Sequence, residues 1–185
     1  VETATGVKLA RVVAKMSKSL KNVVNPDDVI ADYGADTFRL YEMYMGPLEA
    51  SKPWNTRDIA GVFRFLQRAW RVAVCERTGE LLLAAKASDE IERLLHRATR
   101  KVADDIERLA FNTAIATLIE VVNAATRPTE LTDATQGGMT RGQLDRFTRL
   151  LAPFAPHMAE EIWSRLGHAT SVTRAEWPEV DAAML

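Results

Sequence analysis

Two lysines and two serines stand close together near the start of the sequence, in Lys15-Met16-Ser17-Lys18-Ser19. Ammonium groups supply positive charge and several N–H donors, and serine hydroxyls and loop amides add further donors. Residues of these types at this spacing are suited to binding the negatively charged oxygens of a phosphate group. The alternative is a solvated loop without a ligand, because lysine and serine are also common loop residues. We call residues 15–19 the lysine loop.

Local signals predict the elements that position this loop. Thr5-Gly6 predicts a turn, and the β-branched content of Val7 to Ala14 predicts a short strand. Asn25-Pro26-Asp27-Asp28 predicts a helix start, because Asn caps free amides, Pro fits the first turn and carboxylates favour the positive end of a helix. Gly34 is expected to end this short helix. The lysine loop should therefore lie between a strand and a helix.

Apolar residues at helical spacing predict that most of the remaining chain is α-helical. The expected helices are Asp36 to Met45, Thr56 to about Glu76, one that starts after Ser88, one that is capped by Asn112 and ends before Arg127-Pro128, Arg141 to Leu151, and Pro156 to about Gly167. Thr129 to Met139 is expected to be a loop. The predicted fold class is mainly α: an antiparallel helix bundle behind a short N-terminal segment of strand, loop and helix.

Composition excludes several classes of protein. The chain has 185 residues, of which 47% are hydrophobic and 26% charged, as in a soluble globular protein. Its formal net charge of -1 excludes a polycation that binds nucleic acid indiscriminately, so any RNA contact must be local. A single cysteine, Cys75, excludes an internal disulfide and a multi-cysteine zinc site, and we predict no protein-bound metal. Without a long apolar run we expect a cytoplasmic protein that does not contact a membrane.

The lysine loop and the run that follows it, Leu20-Lys21-Asn22-Val23-Val24-Asn25-Pro26-Asp27, resemble the second signature of class I aminoacyl-tRNA synthetases. In that family this loop closes over the phosphates of ATP. The resemblance therefore implies that Lys15, Met16, Ser17, Lys18 and Ser19 bind ATP. Mg²⁺ is expected with the nucleotide, without protein ligands in this sequence. Lys18 is the first candidate for stabilising charge in the transition state and Lys15 the second.

The same signature fits leucyl, isoleucyl, valyl and methionyl enzymes, and Tyr33-Gly34-Ala35-Asp36-Thr37-Phe38-Arg39 belongs to their shared pattern. Two runs are similar to leucyl-tRNA synthetases in particular: Met45-Gly46-Pro47-Leu48-Glu49-Ala50-Ser51-Lys52-Pro53-Trp54-Asn55-Thr56 and Gly61-Val62-Phe63-Arg64-Phe65-Leu66. Further similarity covers nearly the whole chain, through Asn112-Thr113-Ala114-Ile115, residues 152–163 and Glu176-Trp177-Pro178. The resemblance implies ATP-dependent leucylation of tRNA(Leu) through leucyl-adenylate by a monomeric enzyme whose partners are ATP, leucine and tRNA(Leu).

The resemblance also implies a division of the chain. Residues 1–50 would end a catalytic domain, with the lysine loop and helices of the kind that contact a tRNA stem. Residues 51–175 would form a tRNA-binding bundle of the anticodon-binding type, and 176–185 a connector to a C-terminal domain. The family's His-Ile-Gly-His signature, leucine pocket and editing domain are absent, so we expect a fragment that is inactive alone. The alternatives are an isoleucyl or valyl enzyme, a free-standing tRNA-binding module and a purely structural bundle.

Four arginines of the helix predicted from Thr56 fall within one narrow stripe opposite its apolar face: Arg57, Arg64, Arg68 and Arg71. This arginine stripe could lie along tRNA phosphates, as the resemblance favours, or it could be a solvated face with local ion pairs. Lys52 and Trp54 could place a cation and an aromatic ring beside RNA, although Trp54 could equally fill the junction between the two segments.

Three further groups are interpreted as structural or solvated. His157 has no second ligand at metal-binding spacing and is expected to be structural. Asp104-Asp105 and Glu160-Glu161 are neighbours on helices, where adjacent side chains point about 100° apart. We therefore interpret both carboxylate pairs as solvated.

Overall fold

The computed structural model describes residues 5, 6, 8, 10, 12–126 and 138–185. Most of these residues are helical, which confirms the predicted fold class. The α-helices are α1 (Pro26–Tyr33), α2 (Ala35–Tyr44), α3 (Thr56–Ala73), α4 (Asp89–Glu107), α5 (Phe111–Ala125), α6 (Arg141–Leu151) and α7 (Pro156–Arg165). Two short 3₁₀ helices, Val172–Arg174 and Ala182–Met184, follow and were not predicted. Most of the loop predicted from Thr129 to Met139 lies outside the described residues.

The strand predicted over Val7 to Ala14 is not formed at its described positions, 8, 10 and 12–14. The side chains of Val12 and Val13 are 81% and 85% exposed. A strand needs a neighbour for its backbone hydrogen bonds, and the described part of the chain places no second strand beside this segment. The β-branched residues alone therefore gave a wrong prediction for this chain.

Local side-chain signals begin and end most of the helices as predicted. The Asn25 side chain accepts a hydrogen bond from the Asp27 amide and caps α1, and Gly34 follows its last turn with a φ of 87°. Ser88 caps α4 as predicted, and Asn55, which was not predicted as a cap, caps α3 in the same way. The prediction that Asn112 caps the next helix is wrong, because Asn112 lies in the first turn of α5. A tight reversal fixes this start: Leu109 has a φ of 56° and the Ala110 amide donates to the Asp105 carbonyl at 2.7 Å.

A single hydrophobic cluster joins the N-terminal helices to the bundle. Val29 of α1 and Leu40 and Tyr41 of α2 are buried together with Phe65 of α3 and Phe147 of α6. The core thus continues across the boundary predicted at residues 50 and 51, and that division stays a prediction. In the described part of the chain, we find no helix that is both long and apolar enough to cross a bilayer.

Asp105 corrects the interpretation of Asp104-Asp105 as a solvated pair. Its side chain is 2% exposed and accepts hydrogen bonds from Lys101 Nζ at 2.8 Å, Arg108 Nη2 at 3.0 Å and Thr113 Oγ1 at 2.7 Å. Burial by itself raises the pKa of this carboxyl, but the hydrogen bonds from Lys101 and Thr113 and the charges of Lys101 and Arg108 outweigh burial and lower the pKa. The hydrogen bonds of Asp105 therefore stabilise the corner between α4 and α5.

Glu160 is likewise more than a solvated carboxylate. It accepts hydrogen bonds from the Ser171 hydroxyl and from the Val172 amide, the latter at 3.2 Å. Its neighbour Glu161 is exposed and forms an ion pair with Arg165 one turn later, at 2.7 Å. The two carboxylates do point in different directions, and Glu160 ties the first 3₁₀ helix to α7.

Candidate ATP loop and RNA-binding surface

The shape of the lysine loop depends on two side chains of its own segment. The Ser17 hydroxyl accepts a hydrogen bond from the Leu20 amide at 3.2 Å and lies 3.1 Å from the Ser19 hydroxyl. Asn22 accepts from the Ser17 amide at 2.8 Å and donates to the Lys15 carbonyl at 3.3 Å. A turn from Lys18 to Lys21 is closed by a backbone hydrogen bond of 3.2 Å. Ser17 and Asn22 thus fold residues 15–22 into a compact turn.

Lys15 and Lys18 are both exposed in this arrangement. Within residues 12–126 and 138–185, neither ammonium group has a carboxylate partner at ion-pair distance. Both cations are therefore available to an anionic ligand. The Ser17 and Ser19 hydroxyls make their contacts within the turn, where they stabilise the loop.

A groove of about 790 Å³ separates the lysine loop from the start of α3. Met16 and Asn22 line it on the side of the loop, and Trp54 and Arg57 line it on the side of the bundle. The first residue of the arginine stripe thus faces the same groove as the loop. Sequence spacing placed these residues on separate elements but gave no sign of this proximity.

Lys52 and Trp54 both make contacts within the junction. Lys52 Nζ donates to the Gly46 carbonyl at 2.8 Å, which closes the segment that connects α2 to α3. The Trp54 ring packs edge-on against Tyr41 with 4.9 Å between centroids, and its Nε1 donates to the Thr56 hydroxyl at 3.0 Å. Both side chains remain partly exposed. The junction role of Trp54 is thus seen directly, while RNA contact by either residue stays a prediction.

The arginine stripe is divided into two halves. Arg57 and Arg64 are exposed, and their guanidinium groups have no carboxylate or amide partner in the part of the chain that the structure describes. Arg68 is half-buried and donates from Nη1 to Asn123 Oδ1 of α5 at 3.0 Å. Arg71 forms an exposed ion pair with Glu76 at 3.0 Å. With respect to the described residues, the unpaired cations of the stripe are therefore the two in the N-terminal half of α3.

Helix α4 carries further exposed arginines that we did not predict as candidate RNA contacts: Arg93, Arg97 and Arg100. Their spacing places them on one face, the signal that identified the stripe on α3. Acidic residues lie at both ends of this face, Asp89 and Glu90 before it and Asp104 and Glu107 after it. Its charge is consequently more balanced than that of the N-terminal half of α3.

The segments that contain Asp36 and His157 lie far apart in the sequence but contact each other in the fold. The Asp36 carboxylate lies 2.8 Å from His157 Nδ1 and also accepts a hydrogen bond from the Met158 amide at 2.8 Å. His157 therefore has a structural partner, in line with its interpretation from sequence. In the described residues, no group of three or more His, Cys, Asp or Glu side chains is arranged to hold a metal ion.

Comparison with family models identifies two regions. Residues 4–52 match the class I tRNA synthetases described for isoleucine, leucine, methionine and valine, and residues 89–185 match the anticodon-binding domain of tRNA ligases. The second match covers more than half of the chain. Residues 53–88, with α3 and the arginine stripe, lie between the two matches.

Several curated relatives are similar along almost the whole chain. Leucine–tRNA ligase 1 of Rhizobium johnstonii is 47% identical over 184 residues, which are 98% of this chain and 21% of the relative. The leucine–tRNA ligases of Salinispora tropica and Treponema pallidum are 51% and 48% identical and cover 97% and 99% of this chain. This chain spans 18% and 22% of those two relatives, so it corresponds to about a fifth of their length.

A solved structure agrees with these matches. The crystal structure of the ternary complex of Agrobacterium radiobacter K84 agnB2 LeuRS-tRNA-LeuAMS has a TM-score of 0.74 and 31% sequence identity, and covers 92% of this chain and 23% of its own. Identity of about half to relatives of one name exceeds what a shared fold alone requires. The chain therefore belongs to the leucine–tRNA ligase family of class I tRNA synthetases and includes its anticodon-binding domain.

Proposed function

We propose that the protein joins leucine to tRNA(Leu) in an ATP-dependent reaction through leucyl-adenylate, and that this chain supplies the ATP-phosphate loop and a tRNA-binding bundle. The observation that carries the proposal is that Lys15 and Lys18 are exposed, without a carboxylate partner among the described residues, in a turn shortly before α1, a helix that shares one core with an anticodon-binding-type bundle. The solved relative supports it, because that structure is a ternary complex of LeuRS with tRNA and LeuAMS.

In the activation step, an oxygen of the leucine carboxylate attacks the α-phosphorus of ATP, and the bond to pyrophosphate breaks. Negative charge grows on the transferring phosphate and on the leaving pyrophosphate. The Lys18 ammonium, assisted by Lys15, stabilises that charge more strongly in the transition state than in bound ATP. Met16, Ser17 and Ser19 complete the ATP loop, and Ser17 and Asn22 let it move as one turn. Mg²⁺ would arrive with the phosphates of ATP, because it keeps several waters and is usually bound through substrate phosphates and one or two carboxylates.

Arg57 and Arg64 bind the tRNA backbone in this proposal, with Lys52 and Trp54 beside them at the junction. Guanidinium groups along one helix face match a row of phosphates, and phosphate contacts position an RNA without reading its bases. Arg68 and Arg71 extend the surface only if they exchange their contacts with Asn123 and Glu76 for phosphates. We further propose that the enzyme is cytoplasmic and monomeric.

The deciding experiment measures ATP–pyrophosphate exchange by the full-length protein with leucine, isoleucine or valine, followed by leucylation of a tRNA(Leu) transcript. We expect exchange with leucine and efficient leucylation. Exchange driven by isoleucine or valine while leucine is inert would assign the protein to a related enzyme instead. Binding of tRNA without exchange for any amino acid would favour a free-standing tRNA-binding module. The isolated 185-residue chain serves as the control and should catalyse no exchange above background.

A further inference from the structure

Helix α7 begins without a capping side chain of its own. Ala155 occupies its N-cap position and makes no side-chain hydrogen bond. The missing acceptor comes from α2: the Asp36 carboxylate accepts from the His157 amide at 3.3 Å and from the Met158 amide at 2.8 Å. A carboxylate at this end of a helix satisfies free amides and complements the helix dipole. Asp36, whose side chain is 11% exposed, thus caps a helix that lies far away in the sequence.

Helix α2 holds the neighbouring elements of the bundle in the same manner. Arg39 Nη2 donates to the Pro153 carbonyl at 2.9 Å, in the turn between α6 and α7. The Tyr41 hydroxyl donates to the Asn55 carbonyl at 3.1 Å and accepts from the Asn55 amide at 3.0 Å, and Asn55 is the N-cap of α3. One helix therefore fixes the start of α3 and the start of α7.

The N-terminal end of α2, where Asp36 lies, leads through α1 to the lysine loop. Gly34 alone separates α2 from α1, and the Gly34 amide donates to the Ile30 carbonyl at 2.8 Å. Asn25, the N-cap of α1, stands shortly after Ser19 in the chain. Val29 anchors α1 in the core shared with α2. A change in the position of α2 relative to α7 would consequently move the base of the loop.

We propose that Asp36 is a positioning residue, which caps α7 and so holds the lysine loop in a fixed place relative to the tRNA-binding bundle. Through this cap, Asp36 couples tRNA binding to the placement of Lys15 and Lys18. This inference rests on the proposed function. In this proposal Asp36 touches neither ATP nor tRNA and acts through α2. Without its carboxylate, tRNA still binds the bundle, but its presence no longer changes the state of the loop.

The experiment uses the full-length protein and the substitution Asp36→Asn, because asparagine keeps one acceptor oxygen and replaces the other with an NH₂ donor, which cannot accept from an amide of α7. Lys15, Lys18 and Lys21 are exposed, so the rate of tryptic cleavage in the loop reports its state. In the wild type, saturating tRNA(Leu) should change this rate by about fivefold or more, as expected for a typical coupling between sites. In Asp36→Asn the change should fall below about twofold, and kcat for leucylation should drop by about tenfold while KM for tRNA stays within about twofold.

Asp32→Asn is the matched control, because Asp32 is an exposed residue of α1 and the substitution removes the same charge. It should behave as the wild type. If Asp36→Asn does not fold, Arg39→Gln is tested in its place by the ratio of the tryptic cleavage rates with and without tRNA(Leu). Arg39 is exposed, and among the described contacts its loss removes the one to Pro153. A folded Asp36→Asn variant with the wild-type ratio would overturn the proposal, and so would a wild type whose loop does not respond to tRNA. Where Asp36→Asn does not fold, a wild-type ratio in Arg39→Gln overturns it instead. Cleavage needs no catalysis, so failure of the proposed function shows separately, as absence of leucine-dependent exchange in the wild type.

Discussion

Charged side chains have opposite environments in the lysine loop and at the corner between α4 and α5. In the loop, Lys15 and Lys18 are exposed and have no carboxylate partner among the described residues. At the corner, Asp105 is buried and accepts hydrogen bonds from two cationic side chains and a hydroxyl. A charged side chain that binds a ligand is most available when no protein group is paired with it. A buried charge, by contrast, is tolerated only when it is paired, because burial removes it from water. The two regions thus separate binding from stability.

The hydrogen bonds of both regions are local in sequence, but the elements that they join differ. Those in the loop join residues at most seven positions apart, as from Asn22 to Lys15. They give the turn its shape and leave its position to α1 and α2. The Asp105 corner instead joins two long helices that enclose buried side chains such as Leu95 and Ile115. Substitutions should therefore change activity without stability in the loop and stability without activity at the corner.

The largest expected effect belongs to the loop. In the full-length protein, Lys18→Ala should lower the rate of leucine-dependent ATP–pyrophosphate exchange by about 100- to 1000-fold, with a smaller effect on leucine affinity. Because Lys18 is exposed, the melting temperature should hardly change. Steady-state exchange and thermal unfolding test both statements. Wild-type kinetics in a folded variant would show that the loop is not catalytic.

At the corner, Asp105→Asn should lower the free energy of unfolding by about 2 kcal/mol, which is the size of a hydrogen bond to a charged group. The Lys101 and Arg108 side chains are 50% and 68% exposed, so water can replace the lost carboxylate on both. Denaturant unfolding measures the change, and exchange by the folded variant should stay at the wild-type rate. Asp104→Asn, an exposed neighbour, is the control and should leave stability unchanged. If Asp104→Asn is destabilised as well, the loss of stability in Asp105→Asn comes from the changed charge of the helix and not from the buried hydrogen bonds of Asp105.

The same corner should make stability depend on pH. Because the pKa of Asp105 is lower in the folded protein than in the unfolded chain, its carboxylate stabilises the fold above the unfolded pKa, about 3.9 for Asp. That contribution is lost as the pH falls through the lower folded value. Glu92, whose pKa is also lowered against the effect of its burial by Arg146 and Gln143, adds in the same direction. Asp105→Asn should consequently flatten the acid limb of a stability profile, and an unchanged limb would contradict this assignment.

Helix ends were predictable from sequence where the signal and its effect lie within a few residues. Asn25, Ser88 and Pro156 mark helix starts, and Gly34 marks an end, through contacts with their own turn. The lysine loop was recognised for the same reason, because its residues are contiguous. Its closeness to Arg57 across the groove depends on packing and left no local trace.

Contacts between distant elements could not be predicted from one sequence. Asp36 looks like an ordinary first-turn carboxylate of α2, and its use as the cap of α7 requires the tertiary fold. Helical spacing placed Arg68 in the stripe but could not show that Asn123 on α5 would hold it. The strand predicted over Val7 to Ala14 failed for a related reason, since a strand depends on a neighbour that periodicity does not report.

The division of the arginine stripe repeats the contrast between unpaired and paired charge on a single helix. Arg57 and Arg64 resemble the lysines of the loop, because they are exposed and their guanidinium groups have no partner among the residues that the structure describes. Arg68 resembles Asp105 in being held by a side chain of another helix, and its Nε is buried without a hydrogen-bond partner in the described structure. The proposed RNA contacts should therefore rest on the first pair, while Arg68 serves the packing of α3 on α5.

The smallest of the expected effects tests this division. In the full-length protein, Arg57→Gln with Arg64→Gln should weaken tRNA(Leu) binding by about tenfold and reduce the slope of log affinity against log salt by about two, because each lost phosphate contact removes about one unit. Leucine-dependent exchange and the melting temperature should not change, since neither side chain is buried or paired. Arg68→Gln should instead lower the free energy of unfolding, with little effect on the slope of log affinity against log salt.

Arg93→Gln with Arg97→Gln is the matched control on the exposed face of α4, where balanced charge predicts a smaller loss of tRNA affinity. If the α4 pair weakens binding and the α3 pair does not, the tRNA lies along α4, and the exposed half of the stripe is a solvated face.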